Sequence, residues 1–201
     1  MNKRTQDSLA LLNSAIALVV LIPVLLISVS IARENASLQE QRPTLQPDND
    51  QPPIIVLRES EGYSFPSGSA ELSAEFKDKL QREIVPNLQT IIKKYRCDIV
   101  EVVGHTDGQR VIESSTTDAN FLPFAIGLDV SVLPGSNADL GLLRAWSVIR
   151  FIRNNPWPGG VVFYGYSAGH LISETGSIVK EDAPLVDANR RRIEIRVRRS
   201  H

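Results

Sequence analysis

From Leu9 to Ala32 the chain reads LALLNSAIALVVLIPVLLISVSIA, 24 residues without one charged side chain. As a helix this run is about 36 Å long at 1.5 Å per residue. That exceeds the roughly 30 Å hydrocarbon thickness of a bilayer. Lys3 and Arg4 precede the run, whereas Arg33 is followed at once by Glu34. The positive-inside bias therefore predicts residues 1–8 in the cytoplasm, a membrane helix at 9–32, and export of the remainder. Ser30 and Ala32 also fit the small-x-small pattern of a cleaved signal peptide. The run is longer than the roughly 7–15 residues of an h-region, and Asp7 stands where a basic n-region belongs, so a retained anchor is favoured.

Residues 33–53, RENASLQEQRPTLQPDNDQPP, nearly lack large apolar groups. Such a segment cannot bury enough surface to fold by itself and reads as an extended tether. Stiffened by proline, it spans roughly 60 Å at about 3.1 Å per residue.

The folded domain is expected at 54–201. Ile54 to Glu59 and Tyr63 to Phe65 read as strands around a turn at Glu61-Gly62. Ser73 is a plausible cap for a helix whose Phe76, Leu80 and Ile84 share one face. Pro86 should kink or split that helix, and Leu88, Ile91, Ile92 and Tyr95 continue its pattern. Asp98 to Gly104 reads as a buried strand, Leu140 to Asn155 as a helix stopped by Pro156, and Gly160 to Tyr166 as a further strand. In RRIEIRVRR, Ile193, Ile195 and Val197 alternate with charged residues, which predicts a strand with one face on a core and the other in water. Strands alternating with helices, then a polar-faced final strand, give an α/β fold, specifically a small α+β sandwich.

Composition excludes several functions. Lys and Arg number 22 against 23 Asp and Glu. The arginines of the last strand have no aromatic residues between them and read as a solvated face, so a nucleic-acid partner is not expected. The single cysteine, Cys97, excludes an internal disulfide and a multi-cysteine zinc site. His105, His170 and His201 are too scattered to form a metal centre, and no cofactor motif is present.

Gly165-Tyr166-Ser167-Ala168-Gly169 matches the G-x-S-x-G of a serine hydrolase. A nucleophile elbow needs a helix after the serine, with an acid and a histidine later in the chain. The stretch after Ser167 carries no helical stripe, and only 34 residues remain beyond that serine. No catalytic residue is assigned.

Four stretches occur in a telling order: VEVVGHTDGQ (100–109), NADLGLLRA (137–145), YGYSAG (164–169) and NRRRIEIRV (189–197). FPSGSAEL (65–72) precedes them and matches an entry strand. Together they resemble the C-terminal peptidoglycan-binding domain shared by outer membrane protein A and the flagellar stator protein MotB, over roughly residues 54–199. The resemblance implies a βαβαβ domain with a mixed sheet, and it makes Gly165-Tyr166-Ser167 a structural turn. The ligand it implies is the diaminopimelate of the peptidoglycan stem peptide, whose free tip carries an ammonium beside a carboxylate. Asp107 is then the acid and Arg144 the guanidinium, able to grip carboxylate in bidentate fashion. Asn137 is implied as a supporting asparagine, Thr106 as a further candidate, and Arg191 as the residue that braces the site. His105 reads as a strand-end residue with a satisfied ring.

Two departures from the family pattern stand out. Residues 108–136 hold about twenty more residues than the short loop expected there, long enough to wall, cover or block the pocket. Three arginines follow Asn189 in place of two, leaving either Asn189 or Arg190 for the asparagine position.

The resemblance to MotB-like and ExbD-like subunits extends to the anchor, because such subunits carry a proton-bearing aspartate near the cytoplasmic start of their membrane helix. Asp7 occupies that place here; its alternative is an idle charge at the interface. A carboxylate buried among partner helices would have a raised pKa and could cycle between charged and neutral forms. The implied partners are a second copy of the chain, as a homodimer, and a multi-span protein of the MotA/TolQ/ExbB type. A passive wall tether and a stator of the antiphage Zorya kind are the alternatives.

Overall fold

The computed structural model describes residues 51–111 and 114–200. The run Leu9 to Ala32, Asp7 and nearly all of the tether lie outside the described residues. Among the described residues no helix is long and apolar enough to cross a membrane.

Alternating apolar residues build one sheet from β1 (Ile55–Arg58), β2 (Ile99–His105), β3 (Val162–Gly169) and β4 (Arg192–Arg198). The strands lie in the order β1-β4-β2-β3. β2 and β3 are parallel, while β4 runs antiparallel to both of its neighbours. The sheet is therefore mixed, and the fold is α/β.

Register places Val100 opposite Val197, Val102 opposite Ile195, and Leu57 opposite Ile193. These side chains share one sheet face, and helices cover it. Among the described residues the α-helices are α1 (Ala74–Lys79), α2 (Val85–Tyr95), α3 (Thr117–Ile126) and α4 (Asn137–Ile152), and α1, α2 and α4 supply the cover. Phe76, Leu80, Leu88 and Ile92 on one side of the layer and Leu143, Ile149 and Ile152 on the other complete the core. Each such burial is worth about 1.5–3 kcal/mol.

Ser73 caps α1, its Oγ accepting from Phe76 N at 3.1 Å. Pro86 does not break the helix. A π-turn over Leu80–Ile84 joins α1 to α2, and Pro86 falls at the start of α2. A proline ring clashes with the carbonyl four residues back in a regular α-helix, and the wider turn lets the chain pass while Leu80 and Ile84 stay buried.

Two expectations need correction. Tyr63 to Phe65 is not a strand. Tyr63 and Phe65 are held by edge-to-face packing on Phe76, with ring centroids 5.3 and 5.1 Å away. The charged face of β4 is also only partly in water, since Arg196 and Arg198 are exposed but Arg192 and Glu194 are buried. The β3–β4 connection closes over this end of the face, where Ser173 O accepts from Arg192 Nη2 at 3.0 Å.

Glu194 holds the covered charges together. It accepts from Arg192 Nε at 3.0 Å and from Arg196 Nη2 at 2.6 Å, and His105 Nε2 lies 3.2 Å from its Oε1. Neither ring nitrogen of His105 has a well-aligned hydrogen-bond partner among the described residues, Nε2 having only its ion-pair approach to Glu194, so the ring is not satisfied as expected. His105 first, with the two arginines, holds the Glu194 carboxyl well below the usual carboxylate range. A depressed carboxylate contributes stability above its unfolded pKa, about 4.3, and loses it as pH falls toward the folded value. Glu194→Gln should therefore cost about 3 kcal/mol at pH 7 by leaving the buried Arg192 without its counter-ion. The gap between variant and wild type in urea unfolding should shrink steadily below about pH 4.

The long insertion turns away from the sheet. α3 packs on the outer side of α4, with Phe121 edge-on to Trp146 at 5.9 Å and Arg150 over the Phe124 ring at 4.4 Å. Arg153 Nη1 donates to Ala125 O at 2.8 Å.

Candidate ligand-binding site

The site depends on how closely α4 approaches the sheet. A Cβ on Gly104 of β2 would fall 1.9 Å from the carbonyl oxygen of Gly141 in α4, and one on Gly141 would fall 2.3 Å from Ser167 Oγ. A mid-helix glycine costs about 1 kcal/mol relative to alanine. Here it lets helix and strand touch backbone to backbone. The end of β2, leading into Thr106 and Asp107, thereby comes beside the first turns of α4, which carry Asn137 and Arg144.

Between them lies a cavity of about 510 Å³. Thr106, Asp107, Asn137, Arg144 and Arg191 all line it, so the five residues singled out in the sequence meet in one place. Of the insertion's described residues only Gln109, Arg110 and Val111 reach the cavity, and they form part of its wall without plugging it.

Arg144 is 4% exposed. Its Nε donates to Ser69 O at 2.9 Å and its Nη2 to Pro66 O at 3.4 Å, while its guanidinium lies 4.9 Å from the centroid of the Phe65 ring. Among the described residues no carboxylate lies within ion-pairing distance of it. Burial lowers its pKa to about 10, against the opposing pull of Glu59 and Asp107.

The acidic side of the cavity is differently arranged. Arg191 sits between two carboxylates. It donates through Nη1 to Asp107 Oδ2, and through Nε and Nη2 to the two oxygens of Glu59, the Nη2 bond being 3.2 Å. The hydrogen bond to Glu59 is the first reason that the Arg191 pKa is raised. Asp107 Oδ1 accepts from Gln109 N at 3.2 Å and Oδ2 from Asp187 N at 3.4 Å. Asn137 Nδ2 donates to Gln109 O at 2.9 Å, tying the start of α4 to the loop after β2. The Thr106 hydroxyl is buried and has no partner among the described residues. Asn189 and Arg190 serve the loop instead: Asn189 N donates to Asp187 Oδ1, and Arg190 pairs with Asp187 and bonds loop carbonyls.

Glu59 belongs to the site without any motif in the sequence to mark it, and the carbonyls of Pro66 and Ser69 join it from FPSGSAEL, to which the sequence assigned no site role. FPSGSAEL does not extend an entry strand but forms a loop, with Gly68 at φ +67°. The Pro-Ser-Gly-Ser run within it is the turn signal that the sequence does carry.

Gly165-Tyr166-Ser167 is not the turn that the resemblance implied: all three residues pair with β2 inside β3, which continues to Gly169. Ser167 Oγ accepts from Gly169 N at 3.1 Å, and among the described residues no helix intervenes before β4. The strand-to-helix elbow that would expose a nucleophile is not formed here.

No family model matches the sequence, nor does any curated protein. Among solved structures, the chain is similar to the OmpA-like domain of FopA1 from Francisella tularensis, with a TM-score of 0.40 and 15% identity over 74% of this chain and 75% of that one. It is similar to a MotB-like protein from Desulfovibrio vulgaris, with a TM-score of 0.44 and 14% identity over 73% and 75% of the two chains. It is likewise similar to the periplasmic domain of Helicobacter pylori MotB, with a TM-score of 0.45 and 19% identity over 76% of this chain and 79% of that one.

Proposed function

We propose that this chain is an inner-membrane protein, single-pass with a cytoplasmic N-terminus, whose periplasmic domain binds peptidoglycan by the diaminopimelate of its stem peptide. The observation that carries the reading is Arg144, a buried guanidinium that lines a cavity without a carboxylate partner among the described residues. Isolated buried charge is costly unless paired. A ligand carboxylate supplies the partner, and the Glu59 and Asp107 carboxylates on the same cavity suit an ammonium a short distance away. Thr106 and Asn137 add hydroxyl and amide groups for the ligand's remaining polar atoms. The ordered motifs of the sequence support the same ligand.

Purified sacculi should retain the protein in a pull-down, and excess free meso-diaminopimelate should release it. Asp107→Ala should abolish retention. Retention that survives both treatments would remove the pocket from the account.

We extend the proposal to the wall-anchored half of a proton-driven stator, acting as a homodimer with a MotA/TolQ/ExbB-type partner. Its support is the sequence alone: one carboxylate, Asp7, at the cytoplasmic edge of an uncharged run. Asp7→Asn should abolish proton-coupled work while leaving sacculus binding at the wild-type level. Unimpaired work in that variant would leave a passive tether.

A further inference from the structure

Two acids on the cavity share a single arginine. Asp107 and Arg191 alone would form a neutral pair, with nothing left over to attract a cationic group. Glu59 is the third member. It meets Arg191 through both carboxylate oxygens, lines the same cavity, and brings the local sum of the three side chains to −1. Arg144, at +1 on the same cavity, feels the pull of Glu59 and Asp107 but is ion-paired with no carboxylate among the described residues. Arg110 lies at the exposed rim, where solvent screens it.

We infer that Glu59 is the residue that gives this site its selectivity for an amine: by offsetting the charge of Arg191, which stays bonded to Asp107, it leaves the Glu59–Arg191–Asp107 group net negative and able to recognise a ligand ammonium. The inference rests on the proposed diaminopimelate reading and adds a residue and a role to it. The geometry favours it for two reasons. Glu59 enters the site from the turn after β1, and its own backbone N–H donates to Arg191 O at 3.3 Å, so the two residues are fixed to each other by main chain as well as side chain. The pairing is also bidentate, which fixes the plane of the guanidinium and hence the direction in which Arg191 presents its remaining N–H groups to Asp107. Glu59 thus acts through Arg191 as a positioning residue, and through its charge on the ligand.

Glu59→Gln keeps the shape of the side chain and removes the charge. Titration of the full-length protein with meso-diaminopimelate and with pimelate, the same carbon chain without ammonium groups, separates the two roles. Wild type should prefer meso-diaminopimelate, and Glu59→Gln should weaken it about ten-fold while leaving pimelate unchanged or tighter. Thermal unfolding of the same samples should show a folded variant. Unchanged affinity for meso-diaminopimelate would overturn the inference, as would equal weakening of both ligands, which would mark Glu59 as a structural prop. If wild type binds meso-diaminopimelate but Asp107→Ala does so equally well, the inference fails at its other end. If wild type binds neither compound, the peptidoglycan reading itself falls, and the inference with it.

Discussion

Replacing Arg144 with methionine is expected to weaken binding to sacculi by about 100-fold or more while changing folding stability by no more than about 1 kcal/mol. The two halves of that result have one cause. Truncating one partner of a buried charge pair costs about 2–5 kcal/mol of binding, and each 1.4 kcal/mol is ten-fold in affinity. In the free protein the pair does not exist. Arg144 there is a desolvated cation whose pKa burial has lowered to about 10. Its folded-state gains are two bonds to loop carbonyls, at 2.9 and 3.4 Å, and the face of Phe65. Such bonds return about 1 kcal/mol each, and methionine recovers packing on Phe65 while the half-buried loop can take water in their place. Chemical denaturation and a sacculus pull-down on the same preparation give both numbers. A variant that loses stability and binding together would mean that Arg144 is structural.

Gly104→Ala should act on stability first, costing about 3 kcal/mol or more. The added methyl would lie 1.9 Å from the Gly141 carbonyl oxygen and 2.7 Å from its carbon. Both are main-chain atoms, so no side chain can swing aside, and α4 must lift from the sheet. Overpacking a close-packed contact costs about 1–3 kcal/mol, and backbone against backbone belongs at the upper end. The lift also moves Asn137 and Arg144 away from Asp107, so binding by whatever remains folded should fall. Urea unfolding measures the first effect. Unchanged stability would mean that helix and strand do not meet as closely as they do here.

The legible part of this molecule was the part with a period. Val100 and Val102 announce their strand as part of a buried apolar run, Ile193, Ile195 and Val197 announce theirs by alternation, and the core is built from them. The acid and the guanidinium were legible because their motifs carry them at fixed places in the chain. Glu59 was not, because it comes just after a four-residue strand with no motif around it. Only the register of β1 on β4 brings it to Arg191. The burial of Arg192 and Glu194 was equally hidden. Alternation shows which face a residue takes, but the covering of that face comes from a connection more than ten residues away in sequence. Gly141 was the subtler loss: inside a helical stripe it reads as a weak point, and its reason is another glycine in a distant strand.

The strand order also governs when the domain can come into being. β4 comes last of the strands in the chain yet lies between β1 and β2, which make no ladder with each other. Until it inserts, an emerging polypeptide holds a lone β1 beside a separate β2–β3 unit, and long-range pairings of this kind form slowly. Arg191 arrives with that last insertion, immediately ahead of β4. Closure of the sheet and completion of the cavity are thus one event, and a half-finished molecule carries Asp107 and Arg144 without the Arg191 that ties Asp107 to Glu59.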